Sequence, residues 1–291
     1  MTRAKATAIG SIAILLWSLL AMFTVGSAPV PPLLLNALTF GIGGLVGLVW
    51  ISVSGGFGQL KGVGWKVYAF GSLGLFGYHF LYFSALRLAP AAEAGLICYL
   101  WPLLIVLMSG LLPGERLTWM HIAGALLSFV GTTLLIVGKR QETALETAMI
   151  GFALAGAAAL TWALYSILSR RLGQVPTATV AVFCLITSAL SVICHVALEQ
   201  TLWPVGTAGW LSVLALGIGP VGLAFYVWDI GVKRGDIQLL GVCSYAAPLL
   251  STAALILAGF ARATAGIGLA ALMITAGAAL AAYGSARARQ T

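Results

Sequence analysis

The chain has 291 residues, of which 61% are apolar and only 8% are charged. Soluble domains carry roughly 45–50% apolar and about 25% charged residues, so a water-soluble fold is excluded and lipid must be the bulk solvent for most of the chain. The formal charge of +8 comes from 15 Lys and Arg, but they sit between apolar stretches rather than in one run. That placement speaks against nucleic acid and for a membrane protein fixing its orientation.

Taken in chain order, ten stretches reach the ~20 mostly apolar residues that a membrane helix needs. They lie near 6–25, 31–53, 66–86, 92–112, 118–137, 148–168, 177–197, 208–228, 238–258 and 264–283, with short connections. Arg3 and Lys5 before the first run, and Gly26-Ser27-Ala28 after it, also suit a signal peptide. The run is too long for a typical signal core, however, and it has a counterpart later in the chain. With a cytoplasmic N-terminus, Arg87, Lys139, Arg140 and Arg262 fall outside and the other eleven Lys and Arg fall inside. The bias predicts that both termini are cytoplasmic and that the number of spans is even, in a bacterial inner membrane. Cys98, Cys184, Cys194 and Cys243 lie in apolar stretches without a C-x-x-C pair and read as small buried hydrophobes.

The two halves repeat. An offset of 146 places Gly95 on Gly241, Tyr99 on Tyr245, Pro102-Leu103-Leu104 on Pro248-Leu249-Leu250, Arg116 on Arg262 and Arg87 on Lys233; one residue less places Trp17 on Trp162. Tyr and Pro are the informative matches in so apolar a sequence. Each half, 1–142 and 146–291, holds five predicted spans. Five is odd, so the second half must cross in the opposite sense. The expected fold is therefore an all-α integral membrane protein of ten helices in two inverted repeats of five, an arrangement that in secondary transporters places the site near the midplane between the halves.

Tyr82-x-x-Ala85-Leu86-Arg87, Glu93, the Tyr99–Pro102 run and Pro113-Gly114-Glu115-Arg116-Leu117-Thr118 together resemble the EamA family of the drug/metabolite transporter superfamily. Within it, the length, Trp17 and the central aromatics resemble the aromatic amino acid exporters. One departure is Ala261, where the first half has Glu115. The resemblance implies ten helices, alternating access between the halves and no bound cofactor. No G-x-x-x-x-G-K-[ST] loop points to ATP as a direct energy source. The expected partners are a small amino acid, aromatic preferred, and the lipid bilayer, with a monomer as the working assembly.

Aromatics near predicted helix ends (Trp65, Tyr68, Trp119, Trp203, Trp210, Tyr283) read as an interfacial belt. Those near mid-depth have no headgroup to reach. They are Trp17, Tyr78, His79 and Tyr82 in the first and third spans, Tyr99 and Trp101 in the fourth, Trp162 and Tyr165 in the sixth, and Ser244 and Tyr245 in the ninth. Five helices placing rings and hydroxyls at one depth predict a shared substrate cavity, because so many polar groups would need partners in a dry core. Pro102 and Pro248 lack an N–H and free the carbonyls of Cys98 and Ser244, so they are expected to break their helices and to serve gating. Of the side chains that titrate near neutral pH or are charged there, His79 is the only one placed deep within a span. Charge there is costly, so the imidazole is expected neutral at pH 7, orienting substrate rather than carrying protons. Asp229 stands four residues before Lys233, a spacing for an ion pair. His121 and His195 are expected at helix ends, meeting the interface. No carboxylate is predicted at mid-depth, which weakens a multidrug exporter. Without a metal cluster or acid dyad, an integral-membrane enzyme is weaker still. An exporter of another metabolite remains the alternative.

Overall fold

The computed structural model describes residues 1–54, 56–136, 145–257 and 264–288. Lys139, Arg140, Glu142, Ala261, Arg262 and Arg289 lie outside the described residues. Among the described residues the regular elements are all helical. The elements are α1 (Arg3–Ser18), α2 (Leu20–Gly26), α3 (Pro32–Val53), α4 (Trp65–Leu88), α5 (Ala91–Cys98), α6 (Trp101–Ser109), α7 (Trp119–Ile136), α8 (Leu145–Arg171), α9 (Thr179–Leu198), α10 (Gly206–Ile218), α11 (Ala224–Arg234), α12 (Ile237–Cys243), α13 (Ala246–Leu257) and α14 (Ala265–Ala288). A π-helical turn, Gly219–Leu223, joins α10 to α11.

Eight helical runs among the described residues are long and apolar enough to cross a membrane, counting α1–α2, α10–α11 and the start of α12–α13 as single runs. The predicted stretch 66–86 falls on α4, which is 24 residues long. The stretch 92–112 falls on α5 and α6, where the apolar run Glu93–Ser109 is shorter than the eight. The outside of the bundle is greasy, with Leu45, Val49, Ile193 and Val196 all exposed. A soluble protein could not carry so continuous an apolar exterior, and this is a multi-span membrane protein.

Local chemistry sets the ends and breaks. Thr2 caps α1 by accepting the Lys5 N–H at 3.3 Å, and Asp236 caps α12 by accepting the Leu239 N–H at 3.0 Å. Such caps satisfy donors that a helix start leaves free. Pro32 opens α3, where a missing N–H costs nothing. Two breaks fall at the matching prolines: α5 gives way to α6 at Tyr99–Leu100, just before Pro102, and α12 to α13 at Ser244–Tyr245, just before Pro248. The ring of each proline clashes with a continued helix. The Ser244 carbonyl is met by the Ala247 N–H at 3.1 Å.

The closest helix pairs are α1 with α11, α4 with α8, α3 with α9, and α7 with α14; α6 also packs on α12. Small residues let backbones touch. A Cβ on Gly10 of α1 would lie 2.8 Å from the Gly231 Cα of α11, and one on Gly124 of α7 would lie 2.5 Å from the Gly277 carbonyl of α14.

The ends carry the charges. Glu115 takes Arg3 at 2.8 Å and also Arg170, and its side chain is only 4% exposed. Asp229 and Lys233 pair at 2.8 Å, since α11 does continue past both. Glu199 joins Arg87, the backbone N–H groups of Leu33 and Leu34, and His195. Both end histidines correct the expectation of an interfacial position. His121 and His195 are buried, because each ring is held on both nitrogens, His121 by Thr118 and Ser285 and His195 by Glu199 and Thr201. The belt reading suits the exposed Trp65, Trp119, Trp203, Trp210 and Tyr283. Tyr68 instead packs inward on Phe183, with ring centroids 6.2 Å apart.

Candidate functional site

At the centre of the bundle, rings from α1, α4, α6, α8 and α11 meet. Trp17 of α1 is the hub. Its ring lies 5.8 Å from Trp162 of α8, 6.1 Å from Trp101 of α6, 5.1 Å from Trp228 and 6.3 Å from Phe225, both of α11. Trp162 also contacts Tyr78 at 5.3 Å and stacks on Tyr165 at 5.2 Å. Tyr78 stacks on Tyr82 at 6.0 Å. Edge-to-face and offset pairs dominate, as ring quadrupoles require.

His79 lies beside this group in a cage of rings. Phe40 stands 4.9 Å away, Tyr78 5.0 Å, Phe225 6.0 Å and Phe83 6.1 Å. The Nδ1 of His79 is 2.8 Å from the Leu75 carbonyl. A carbonyl can only accept, so Nδ1 carries the hydrogen, and in the neutral ring Nε2 presents a lone pair.

Of the residues singled out in the sequence, Trp17, Tyr78, His79, Tyr82, Trp101, Trp162 and Tyr165 are brought together. Tyr99 caps α5, half-buried; among the described residues it makes no ring contact with the cluster, although its hydroxyl is close enough to Tyr82 to interact with it electrostatically. Ser244 and Tyr245 have other neighbours. The Ser244 hydroxyl donates to the Leu240 carbonyl at 2.7 Å. The Tyr245 ring faces Phe129, and its oxygen accepts the Leu103 N–H at 3.1 Å. That N–H is one the α5–α6 break leaves without a helical acceptor, so Tyr245 ties α12 to α6.

Phe40, Phe83, Phe225 and Trp228 belong to the cluster and were not singled out in the sequence. For two of them a signal existed: adding 146 to His79 and Tyr82 gives Phe225 and Trp228. The π-helical turn precedes both, and such bulges reset which side chains face inward. It is pinned by the Trp17 indole, which donates to the Pro220 carbonyl at 3.1 Å.

Two apolar grooves lie away from the ring cluster, one of about 420 Å³ between α3 and α10, lined by residues such as Leu38, Ile42 and Trp210, and one of about 460 Å³ between α3 and α9, lined by residues such as Leu38, Ile42 and Val192.

Comparison with known proteins agrees with this architecture. The EamA-like transporter family matches residues 5–137 and again 149–283. A protein of Ancylobacter novellus named aromatic amino acid exporter YddG is 53% identical over 289 residues, covering 97% of this chain and 98% of the relative. The Escherichia coli protein of the same name is 27% identical, covering 87% and 88%. A solved crystal structure superposes with a TM-score of 0.91 at 54% identity, over 96% of this chain and 98% of the other. The chain is thus a drug/metabolite exporter that belongs to the EamA-like transporter family.

Proposed function

We propose that this protein is a secondary exporter of aromatic and other small amino acids, working by alternating access between two inverted five-helix repeats in the bacterial inner membrane. Both termini are then cytoplasmic, and all ten predicted stretches cross the bilayer, with α5–α6 and α12–α13 as matching broken spans.

One observation carries the reading: Trp17 and Trp162, which correspond in the repeat, meet at the centre 5.8 Å apart. Two residues exchanged by a two-fold axis touch only if the axis passes between them. The helix pairs fit the same axis. Exchange of the halves turns α1–α11 into α8–α4, while α3–α9 and α7–α14 map onto themselves. The Ser128 hydroxyl of α7 reaches the carbonyl of its own counterpart, Ile274 of α14, at 3.4 Å. A ring cluster on that axis offers stacking faces to an aromatic side chain wherever the halves part. Relatives named as aromatic amino acid exporters support the substrate class.

The test is efflux of labelled phenylalanine, tyrosine and tryptophan from proteoliposomes, beside leucine, threonine and a non-amino-acid drug. Saturable efflux favouring the aromatic three is expected. Movement of the drug alone defeats the assignment. A C-terminal reporter fusion active only in the periplasm defeats the topology.

A further inference from the structure

The polar atoms of the ring cluster divide into those the protein already uses and those it leaves over. The Trp17 indole N–H is spent on the Pro220 carbonyl at 3.1 Å, and that of Trp228 on the Ser166 hydroxyl at 3.2 Å. The Tyr78 oxygen accepts the Cys98 thiol at 3.7 Å. Among the described residues, the indole N–H groups of Trp101 and Trp162 have no acceptor, although both rings are buried. The Nε2 of His79 has no donor, because Leu75 occupies only Nδ1.

The Tyr78 and Tyr82 hydroxyls can still donate, but the indole and imidazole leftovers are chemically opposite. An indole N–H can only donate, and the neutral Nε2 left by this tautomer can only accept. They are also spatially sorted. Trp101 and Trp162 flank Trp17, their own centroids 6.2 Å apart. His79 connects to Trp162 through Phe225 and through Tyr78, each of which touches both rings. Around the His79 ring, Phe40, Phe83 and Phe225 offer aromatic surface, which attracts a cation and repels an anion. No described carboxylate forms a hydrogen bond to a residue of this group; Asp229, which interacts with Tyr165, is held by Lys233, and the Glu93 carboxylate of α5 keeps one buried oxygen without a partner.

The geometry points to one orientation for the substrate: the α-ammonium meets His79 Nε2 inside the phenylalanine cage, and the α-carboxylate meets the indole N–H groups of Trp101 and Trp162. This rests on the amino acid export reading and adds to it a polarity and a specificity. Ammonium, carboxylate and one hydrogen bond at each end span roughly 9 Å, the scale of two rings joined through one shared neighbour. Both headgroups are needed at once. A neutral acceptor with a ring cage leaves the ammonium weakly held, which suits a carrier that must release.

The test compares binding of three probes to purified protein by equilibrium dialysis: phenylalanine, 3-phenylpropionate, which lacks the ammonium, and phenethylamine, which lacks the carboxylate. His79→Leu should raise Kd more than about tenfold for phenylalanine and phenethylamine and leave 3-phenylpropionate within about twofold. His79→Gln keeps an acceptor oxygen and should restore most of the loss. Trp101→Phe and Trp162→Phe keep the ring without the N–H, and should weaken phenylalanine and 3-phenylpropionate but not phenethylamine. Equal losses for all three probes in His79→Leu, without rescue by Gln, would overturn the orientation, as would indole variants that weaken phenethylamine. If the parent binds phenylalanine but shows the wrong pattern, only the orientation falls. A parent that binds none of the three sinks the export reading and the orientation together.

Discussion

Helices α4 and α11 stand at corresponding places in the two halves of the sequence, yet they bring different chemistry to the centre. α4 is a continuous helix of 24 residues and contributes Tyr78, His79 and Tyr82. α11 follows a π-helical turn and contributes Phe225 and Trp228 at the positions of His79 and Tyr82. At these matched positions α4 brings an imidazole and a hydroxyl, whereas α11 brings a phenyl ring and an indole whose N–H is taken by Ser166. A repeated scaffold supplies the position, and each copy is free to specialise the side chain. In the site proposed above, this difference sets a hydrogen-bonding group on one helix against stacking surface on the other, as an amphipathic ligand needs. The same contrast recurs at the helix ends. Lys233 of α11 is 4% exposed and held by Asp229, whereas its counterpart Arg87 is 44% exposed and reaches Glu199 of α9.

That contrast at the ends predicts the largest difference. Asp229→Asn leaves a buried Lys233 with only the Thr177–Val175 region beside it, where Lys233 keeps the Val175 carbonyl at 2.9 Å. Removing one partner of a buried pair costs on the order of 3–5 kcal/mol, so the thermal midpoint in detergent should fall steeply. An unchanged midpoint would mean that Lys233 finds water.

The central pair gives the next effect. Trp17→Ala and Trp162→Ala each remove a hub ring, and large aromatic truncations at buried contacts cost about 3–5 kcal/mol of packing in a rigid core. A cluster that opens for substrate should feel less. About a tenfold rise in the substrate concentration for half-maximal efflux is expected for each. The comparison sharpens if the two rises are alike, and breaks if one variant transports like the parent.

Tyr99 and Tyr245 separate a free hydroxyl from a committed one. Tyr245→Phe strips the acceptor from the Leu103 N–H and should lower stability by roughly 1–3 kcal/mol, the cost of orphaning a buried donor. Tyr99→Phe should leave the midpoint where it is. Equal shifts in calorimetry would refute the distinction.

The smallest effect belongs to Arg87→Ala. Glu199 keeps the Leu33 and Leu34 N–H groups and His195, and the half-exposed Arg87 contributes about 0–1 kcal/mol. A loss as large as that of Asp229→Asn would show that the two ends are not different in kind.

Much of the fold was legible in the sequence, because membrane burial is written in composition. Twenty apolar residues between charges mark a helix without knowledge of its neighbours. The matching of Tyr99-x-x-Pro102 with Tyr245-x-x-Pro248 located both helix breaks, since a proline disrupts its own helix whatever surrounds it. The roster of central aromatics was legible for the same reason: depth along a span follows from position. Trp228 escaped because the apolar stretch stops at Asp229, and only the Lys233 partner lets the helix carry on to Arg234.

Which of those aromatics share a site was decided by the tertiary structure. Tyr78 and Tyr245 look alike as deep tyrosines in apolar helices. The first faces Trp162, and the second spends its hydroxyl on an N–H left over by a break 142 residues away. The free lone pair of His79 likewise follows from a single contact with Leu75, and the unused indoles of Trp101 and Trp162 follow from what does not reach them. The sequence by itself determined the solvent, the number of candidate spans and where each side chain falls along its span, because these depend on local composition. The direction each ring faces, and which polar atoms remain for a ligand, were decided only when helices distant in sequence packed together, because hydrogen bonds are claimed by whichever partner comes within about 3 Å.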